Sequence, residues 1–288
     1  MGLMRTFQCS AQCFDCLEKL VSRTVAMSTQ DDSLQQNIFK QAMESLEDEF
    51  SPATIPALLA TKILRKIRMQ TGCRDPFLQK KIQEMEEGRN ILNELDGRLS
   101  GTDFERLLQV AALANTVDHF HSPDELVKAL KDDFSWAVYD GDTFLDRVKR
   151  GIGPFLYLAD NAGEFFLDLP LFRKISSYIS DSYYVVKGSP IQNDLALEDV
   201  QRCNVKDLPQ GIITHGLDTV GLDVKELKKD FRELYESAAL ILAKGMGHFE
   251  TLSTLEQRGR TFFVLKAKCD PVALSLGVSR NGYAAFLQ

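Results

Sequence analysis

Residues 155–170 read FLYLADNAGEFFLDLP, and this stretch decides the interpretation of the second half of the chain. Four apolar residues lead to Asp160 and Asn161, a small Ala-Gly pair follows, and apolar residues then return. The apolar run is typical of a strand buried on both faces, and the polar residues mark the turn that ends it. An acid and an amide at a strand end add little to a hydrophobic core, but they supply two oxygen ligands.

Four more apolar runs in the second half have the same form, each followed by a polar or glycine-bearing turn. They are SYYVVKG (182–188), GIITHG (211–216), AALILAKG (238–245) and TFFVLKAK (261–268). Helical patterns such as DVKELKKDFRELYESA lie between several of these runs. The alternation predicts an α/β fold over residues 146–288, a Rossmann-like and mostly parallel sheet flanked by helices.

The first half, residues 1–145, is predicted to be all-helical. Segments such as IPALLATKILRKI and LQQNIFKQAMESLEDEF repeat apolar residues at spacings of three and four, and no strand is expected there. Ser51-Pro52, Asp75-Pro76 and Ser122-Pro123 each offer a capping oxygen followed by proline, which favours a helix start.

Composition narrows the class of protein. The 288 residues are 44% hydrophobic and 26% charged, with a formal net charge of −7, so there is no basic footprint for nucleic acid. No apolar run approaches the roughly 18 residues of a membrane helix, and the N-terminus lacks an apolar core of signal-peptide length. We therefore expect a cytoplasmic protein with neither a nucleic-acid nor a membrane partner.

Polar groups follow all five predicted strands. Since the carboxyl ends of parallel strands meet at one edge, where open sheets bind ligands, these groups should lie close together. In chain order they are Asp160, Asn161 and Glu164; Lys187, Gly188, Asn193 and Asp194; His215 and Gly216; Lys244, Gly245, Gly247 and His248; and Lys266 and Lys268.

This set has the chemistry of a phosphate site. Asp160, Asn161 and Asp194 supply hard oxygen ligands for Mg²⁺ or Mn²⁺. Lysines supply positive charge, and the Gly245–Gly247 turn lets backbone N–H groups approach a ligand. The combination predicts metal-assisted hydrolysis of a phosphate monoester. Each turn by itself is more typical of a cap or a solvated surface, and each of the four histidines is more typical of a structural role.

Four motifs resemble the DUF89 family, the damage-control phosphatases, and the short stand-alone microbial branch most closely. They are LADNAGEFFLDLPL, VVKGSPIQNDLALEDV, AKGMGHFETL and LKAKCDPVA. The match covers most of the chain, and the spacing and order of the four motifs make it specific. In the helical half, AALANTVDHF resembles a Gly-Asn-x-x-Asp segment of that branch, with Asn115 and Asp118 at the polar positions and Ala114 in place of glycine.

The resemblance implies a helical N-terminal part, a Rossmann-like part and a phosphatase that uses Mn²⁺, Co²⁺, Ni²⁺ or Mg²⁺. Its metal ligands fall on Asp160, Asn161 and Asp194. The substrate would be a small phosphorylated metabolite, such as a sugar phosphate or a nucleotide-related compound. The resemblance implies that Lys244, Gly245 and Lys268 contact the phosphate and that Asn115 and Asp118 orient the substrate. The strand-end turns add Glu164, Lys187 and Gly247 as expected substrate contacts. Longer members have Asp-Leu-Asn-Tyr where this chain has Met246 to Phe249. The substrates of those members therefore cannot be assigned to this chain.

Two other enzyme or binding classes fit the same fold. A SAM-dependent carboxyl methyltransferase, or another nucleotide-binding module, is one, since a relative within the family has been proposed to methylate carboxyl groups. The chain has neither a Gly-x-Gly-x-x-Gly turn nor a Walker-type loop. A haloacid-dehalogenase-like phosphatase would use a nucleophilic Asp after the first strand, with a second Asp two positions later, where this chain has Ala162.

The cysteines near the N-terminus carry a separate hypothesis. Cys9, Cys13 and Cys16 have the Cys-x3-Cys-x2-Cys spacing of a cluster-binding triplet, and Cys73 could complete a zinc site. The second pair, CFDC, also resembles a Cys pair at the start of the family's microbial branch. Packing or incidental thiols are the favoured interpretation, with metal binding as the alternative.

Overall fold

The structure is a computed structural model that describes residues 5–99, 103–115, 128, 134–203 and 208–288, with the backbone alone for 96–99. Its centre is a seven-stranded sheet in the order β1-β7-β6-β5-β2-β3-β4. The strands are β1 Trp136–Tyr139, β2 Phe155–Leu158, β3 Ser182–Val186, β4 Ile212–Thr214, β5 Leu240–Lys244, β6 Thr261–Lys266 and β7 Tyr283–Leu287.

Strands β2 to β6 run parallel, β7 is antiparallel to β6, and β1 is parallel to β7. The four residues of β2 and all five of β5 are buried, as expected for central strands covered on both faces. The predicted mostly parallel α/β sheet is confirmed.

The prediction that the first half lacks strands was wrong, because β1 lies within residues 1–145. Its four residues WAVY are mostly half-buried at the sheet edge, so the sequence lacks the apolar run that marks the central strands. β7 was missed as well, because YAAFL is short and two of its five residues are alanines, which give a weak apolar signal although both are buried in the cores of the sheet.

Helices cover both faces of the sheet and its carboxyl edge. They are α1 Ala11–Ser28, α2 Asp32–Glu49, α3 Pro56–Thr71, α4 Leu78–Leu99, α5 Phe104–Ala114, α6 Gly141–Lys149, α7 Phe165–Ser176, α8 Leu197–Arg202, α9 Lys229–Ser237, α10 Gly245–Leu252 and α11 Asp270–Leu276. Pro56, and not Pro52, is the first residue of α3, while Ser122-Pro123 lies outside the described residues.

Two hydrophobic cores fill the faces of the sheet and a third holds the N-terminal helices together. Residues of α5, α6 and α7 pack on one face, and residues of α9, α10 and α11 on the other. Helices α1, α2 and α3 share a smaller core. Because α1 also contacts α11, α3 contacts α10, and α4 contacts the turn after β2, these helices stand over the strand ends.

Within the described part of the chain, no helix has the length and apolar character needed to cross a membrane.

Candidate active site

The turn after β2 and the loop after β3 are joined by backbone hydrogen bonds, and this brings three predicted site residues together. Asn161 and Asp194 form an isolated antiparallel bridge. The N–H of Leu195 donates to the carbonyl of Asp160 at 2.8 Å, and the N–H of Ala162 to the carbonyl of Asn193 at 2.8 Å. Backbone hydrogen bonds therefore hold together the two segments that carry Asp160, Asn161 and Asp194.

Two amides hold the Asp160 carboxylate. Nδ2 of Asn115 lies 3.0 Å from Asp160 Oδ2, and Nδ2 of Asn161 lies 3.1 Å from the same oxygen. Both amides also donate to Glu164 Oε1 at 2.6 Å. Since Asn115 is the last residue of α5's C-terminal turn, the helical half reaches the strand-end carboxylate directly.

Lys244 lies behind this network, fully buried at the end of β5. Its Nζ donates to Asp168 Oδ1 at 2.7 Å and to the Ala111 carbonyl at 2.6 Å, and it pairs with Glu164 Oε2 at 2.7 Å. Burial lowers the pKa of Lys244, but the two carboxylates outweigh this and hold the pKa above its ordinary value. An ammonium has three donors, and all three are directed at protein oxygens.

Lys187 has a similar buried position beside Asp194. Its Nζ donates to the Gly221 carbonyl at 2.6 Å and lies 3.3 Å from Asp194 Oδ2. Burial raises the pKa of Asp194 to about 6 while Lys187 opposes the rise. For Asp160, burial and the neighbouring Glu164 and Asp194 carboxylates raise the pKa well above its ordinary value.

Gly245 makes room for the Asp160 carboxylate. It has φ +77° at the start of α10, and a Cβ at this position would overlap the Asp160 carboxyl group. Only glycine meets both requirements at no steric cost. The approach also places the first turn of α10, whose N–H groups lack partners within the helix, next to the carboxylate.

A cavity of about 380 Å³ opens onto these groups, between the N-terminal helices and the carboxyl edge of the sheet. Lys268 lines it and acts electrostatically on both Asp160 and Glu164. One buried oxygen near the carboxylates, Asn115 Oδ1, has no hydrogen-bond partner among the described residues. Buried polar atoms are rarely left in this state, so this oxygen points to a ligand or ion that completes the site.

The cavity brings together most, though not all, of the predicted site residues. Those that line it are Asn115, Asp160, Asn161, Glu164, Asp194, Gly247 and Lys268. Lys187, Lys244 and Gly245 do not line it. The two lysines were predicted as substrate contacts because a phosphate requires positive charge, but both are buried against protein oxygens. Asp118 lies outside the described residues.

The cysteines and histidines have other surroundings. All six cysteines are free, and among the described residues no group of three or more His, Cys, Asp and Glu has the geometry to hold a metal. Nδ1 of His248 lies 2.7 Å from the Lys244 carbonyl one turn earlier, and Nδ1 of His215 accepts from the Leu217 N–H. Both rings are buried, which fits the structural role expected for them.

Two residues at the site were missed in the sequence. Asp168 is fully buried and pairs with Lys244; the signal was a single acid within the apolar stretch FFLDLPLF. Glu250 lines the cavity and accepts a hydrogen bond from the N–H of Ala57 at 2.9 Å. Its neighbours His248 and Phe249 turn into the core, so sequence position alone did not distinguish it.

The chain matches the family model of the damage-control phosphatase ARMT1-like domain over residues 9–282. The chain belongs to this family. The match covers all of the strand-end residues described above, and it confirms the resemblance to DUF89 proteins.

Relatives of this ARMT1-like chain are similar over nearly their whole length. The damage-control phosphatase PH1575 of Pyrococcus horikoshii is 32% identical over 275 residues, 94% of each chain. A damage-control phosphatase of Archaeoglobus fulgidus is 31% identical over 276 residues, 94% of this chain and 96% of that one. The crystal structure of the DUF89 family protein PH1575 superposes with a TM-score of 0.89, at 31% identity, covering 97% of this chain and 99% of the other.

Proposed function

We propose that the chain is a divalent-metal-dependent phosphatase that hydrolyses phosphate monoesters of small metabolites, such as sugar phosphates or nucleotide-related compounds. The observation that carries this proposal is the pair of strand-end carboxylates, Asp160 and Asp194, which share a cavity with Lys268. The reaction class is supported by the relatives, two of which bear the name damage-control phosphatase.

Asp160, Asn161 and Asp194 are the proposed ligands of the cation. Two carboxylates and an amide oxygen suit Mg²⁺, Mn²⁺, Co²⁺ or Ni²⁺. The fit is supported by the like charges of Asp160 and Asp194, which repel each other within one buried site, since a cation between them would relieve that repulsion. Asn161 supplies the amide of this set: its Nδ2 donates to Asp160 and Glu164, and its Oδ1 is the proposed ligand atom. When bound, such a cation polarises the phosphoryl oxygen and makes an attacking water more acidic.

The protein groups divide the remaining tasks. Lys268 is proposed to bind a phosphate oxygen, together with the backbone N–H groups at the start of α10 next to Gly247. Asn115 and Asn161 fix the Asp160 carboxylate through Oδ2. Lys244 neutralises Glu164 from behind and so keeps the amide-binding carboxylate in place. The charges are thus set before the substrate arrives, which is the condition for electrostatic stabilisation of a transition state.

A screen of phosphate monoesters against a panel of divalent metals tests the proposal. We expect hydrolysis that depends on added metal and is lost in Asp194→Asn, which retains the size of the side chain but removes its charge. Calorimetry with Mn²⁺ should show binding to the wild type and greatly weakened binding to the variant. Asp32→Asn on the exposed surface of α2 is the matched control. Hydrolysis that is unchanged by chelation of the metal would contradict the proposal.

A further inference from the structure

The cavity extends well beyond the strand-end carboxylates, and its outer wall is apolar. Helices α1 and α3, the loop before α9 and the start of α10 contribute this wall, with Leu17, Leu20, Ala60, Val220 and Met246 among its residues. The thiols of Cys13, Cys16 and Cys269 also line it. Burial raises the pKa of Cys269 to about 11 and that of Cys16 above its ordinary value, so these thiols are uncharged at neutral pH.

One carboxylate, Glu250, lies beside these apolar residues. The other charged residues of this lining have partners of their own: Lys80 pairs with Glu84, and Arg23 lies over the Phe77 ring. Its Oε2 accepts the N–H of Ala57 in the first turn of α3 at 2.9 Å. In the part of the chain that the structure describes, no Lys, Arg or His lies within ion-pair distance of Glu250. The groups with which it interacts electrostatically are the thiols of Cys9, Cys16 and Cys269. A carboxylate that is partly withdrawn from water is costly unless a cation pairs with it, and the described residues do not supply one.

Helix α10 sets the distance between Glu250 and the proposed metal site. The helix begins at Gly245, against the Asp160 carboxylate, and Glu250 follows five residues later, about 7.5 Å along the axis. Met246 and Glu250 are four residues apart and so share a face of the helix, and both line the cavity with Gly247 between them. A ligand that spans the two sites therefore passes along Met246.

We propose that Glu250 binds a cationic amino group on the alcohol part of the substrate, an inference that rests on the proposed phosphatase function. The substrate class is then a phosphate monoester whose amine is separated from the phosphate by an apolar segment of about six bonds, at roughly 1.2 Å per bond of an extended chain. The apolar wall accommodates that segment, and the ammonium forms an ion pair with the Glu250 carboxylate. Polyhydroxylated sugar phosphates lack both features and are poorer substrates of this site.

Synthetic alkyl phosphates test this with a constant leaving group. The metal-loaded protein is assayed with five substrates. They are hexyl phosphate, its terminal hydroxyl analogue, its terminal amino analogue (aminohexyl phosphate), aminopropyl phosphate and aminononyl phosphate. We expect aminohexyl phosphate to exceed hexyl phosphate about 10-fold or more in kcat/KM, and the shorter and longer amines to lose that advantage. In Glu250→Gln, which retains an acceptor for the Ala57 N–H, the ratio should fall towards one.

Binding of hexyl- and aminohexylphosphonate, measured by calorimetry, separates this inference from the proposed function. If no phosphate ester is hydrolysed but the aminophosphonate binds more tightly in a Glu250-dependent way, the phosphatase proposal fails and the amine site stands. If hexyl phosphate is hydrolysed but aminohexyl phosphate has no higher kcat/KM, the amine site is overturned. The same holds if the hydroxyl analogue reaches the kcat/KM of aminohexyl phosphate. A preference that persists in Glu250→Gln overturns it as well. Glu256→Gln, at a side chain 83% exposed, is the control for removing an acid from this region.

Discussion

The amide of Asn115 donates a hydrogen bond of 3.0 Å to Asp160 Oδ2, although 45 residues separate them along the chain. Asn115 follows α5, and Asp160 follows β2, so this contact connects the helical half to the strand-end site. The same Nδ2 reaches Glu164 Oε1 at 2.6 Å. The contact makes Asn115 a residue that orients a proposed metal ligand from outside the ligand set.

Replacing Asn115 by Ala should therefore lower kcat/KM by about 10-fold to 100-fold, roughly 1.4 to 2.7 kcal/mol of transition-state stabilisation. Bound metal should be retained, as measured by calorimetry, because Asp160, Asn161 and Asp194 remain. A variant with wild-type kcat/KM would show that the hydrogen bond has no part in catalysis. We expect an effect of the same size for Asp118→Ala, which follows from the family resemblance alone.

The proposed ligands themselves should be more sensitive. Asp160→Ala, Asn161→Ala and Asp194→Ala should each abolish metal-dependent hydrolysis, by roughly 10³-fold or more, since several kcal/mol of electrostatic stabilisation are lost with the cation. Circular dichroism should show that all three variants remain folded. Full activity in Asp160→Ala would contradict the proposal that Asp160 is a ligand of the cation.

Lys244 and Lys268 should separate into different roles. Lys244→Met leaves Glu164 and Asp168 buried without their cation, and we expect a loss of about 3 to 5 kcal/mol in the free energy of unfolding. Lys268→Met should change stability by no more than about 0.5 kcal/mol while KM for the phosphate ester rises. Urea unfolding and steady-state kinetics on both variants measure this. Equal stability losses would contradict the assignment of Lys268 to the substrate.

Gly245→Ala tests the close approach to Asp160. An added Cβ overlaps the carboxylate, at a residue with φ +77°, so we expect both stability and metal affinity to fall. Gly277→Ala is the matched control, because Gly277 has φ +68° but nothing within 4 Å of its Cβ position. It should lose only about 1 kcal/mol of stability from backbone strain and keep its affinity for metal. Equal metal affinity in the two variants would argue against contact between α10 and the site.

The half-buried Glu250 should make the free energy of unfolding depend on pH. Burial raises its pKa to about 7, against about 4.3 in an unfolded chain. Between about pH 4.3 and about pH 7, the folded state retains the Glu250 proton, whereas the unfolded state has lost it. The stabilising contribution of the protonated side chain is therefore complete below about pH 4.3 and is lost as pH rises through about 7. From about pH 5 to about pH 8, wild type should lose roughly 2 kcal/mol more unfolding free energy than Glu250→Gln. Parallel urea-unfolding profiles for the two proteins would show that Glu250 is already ionised.

The central part of the fold was readable because burial and secondary structure coincide there. The runs at 154–160, 182–188, 211–216, 238–245 and 261–268 each contain a strand of the sheet. A central strand must be apolar on both faces, and this leaves a continuous run in the sequence. The edge strand Trp136–Tyr139 carries no such run, and its pairing with β7 comes from opposite ends of the domain, so no local pattern marked it.

The sequence by itself determined the mostly parallel sheet and the position of three oxygen-bearing side chains, Asp160, Asn161 and Asp194, in the segments that follow its strands, because strand ends and turn residues are specified by neighbours in the chain. Only the tertiary structure decided which charged side chains line the cavity. Lys244 and Lys268 look alike in sequence, yet Lys244 is buried against Glu164 and Asp168, while Lys268 lines the cavity. The physical reason is that a charge is buried only where distant segments supply its partners, and those partners come together only when the chain is folded.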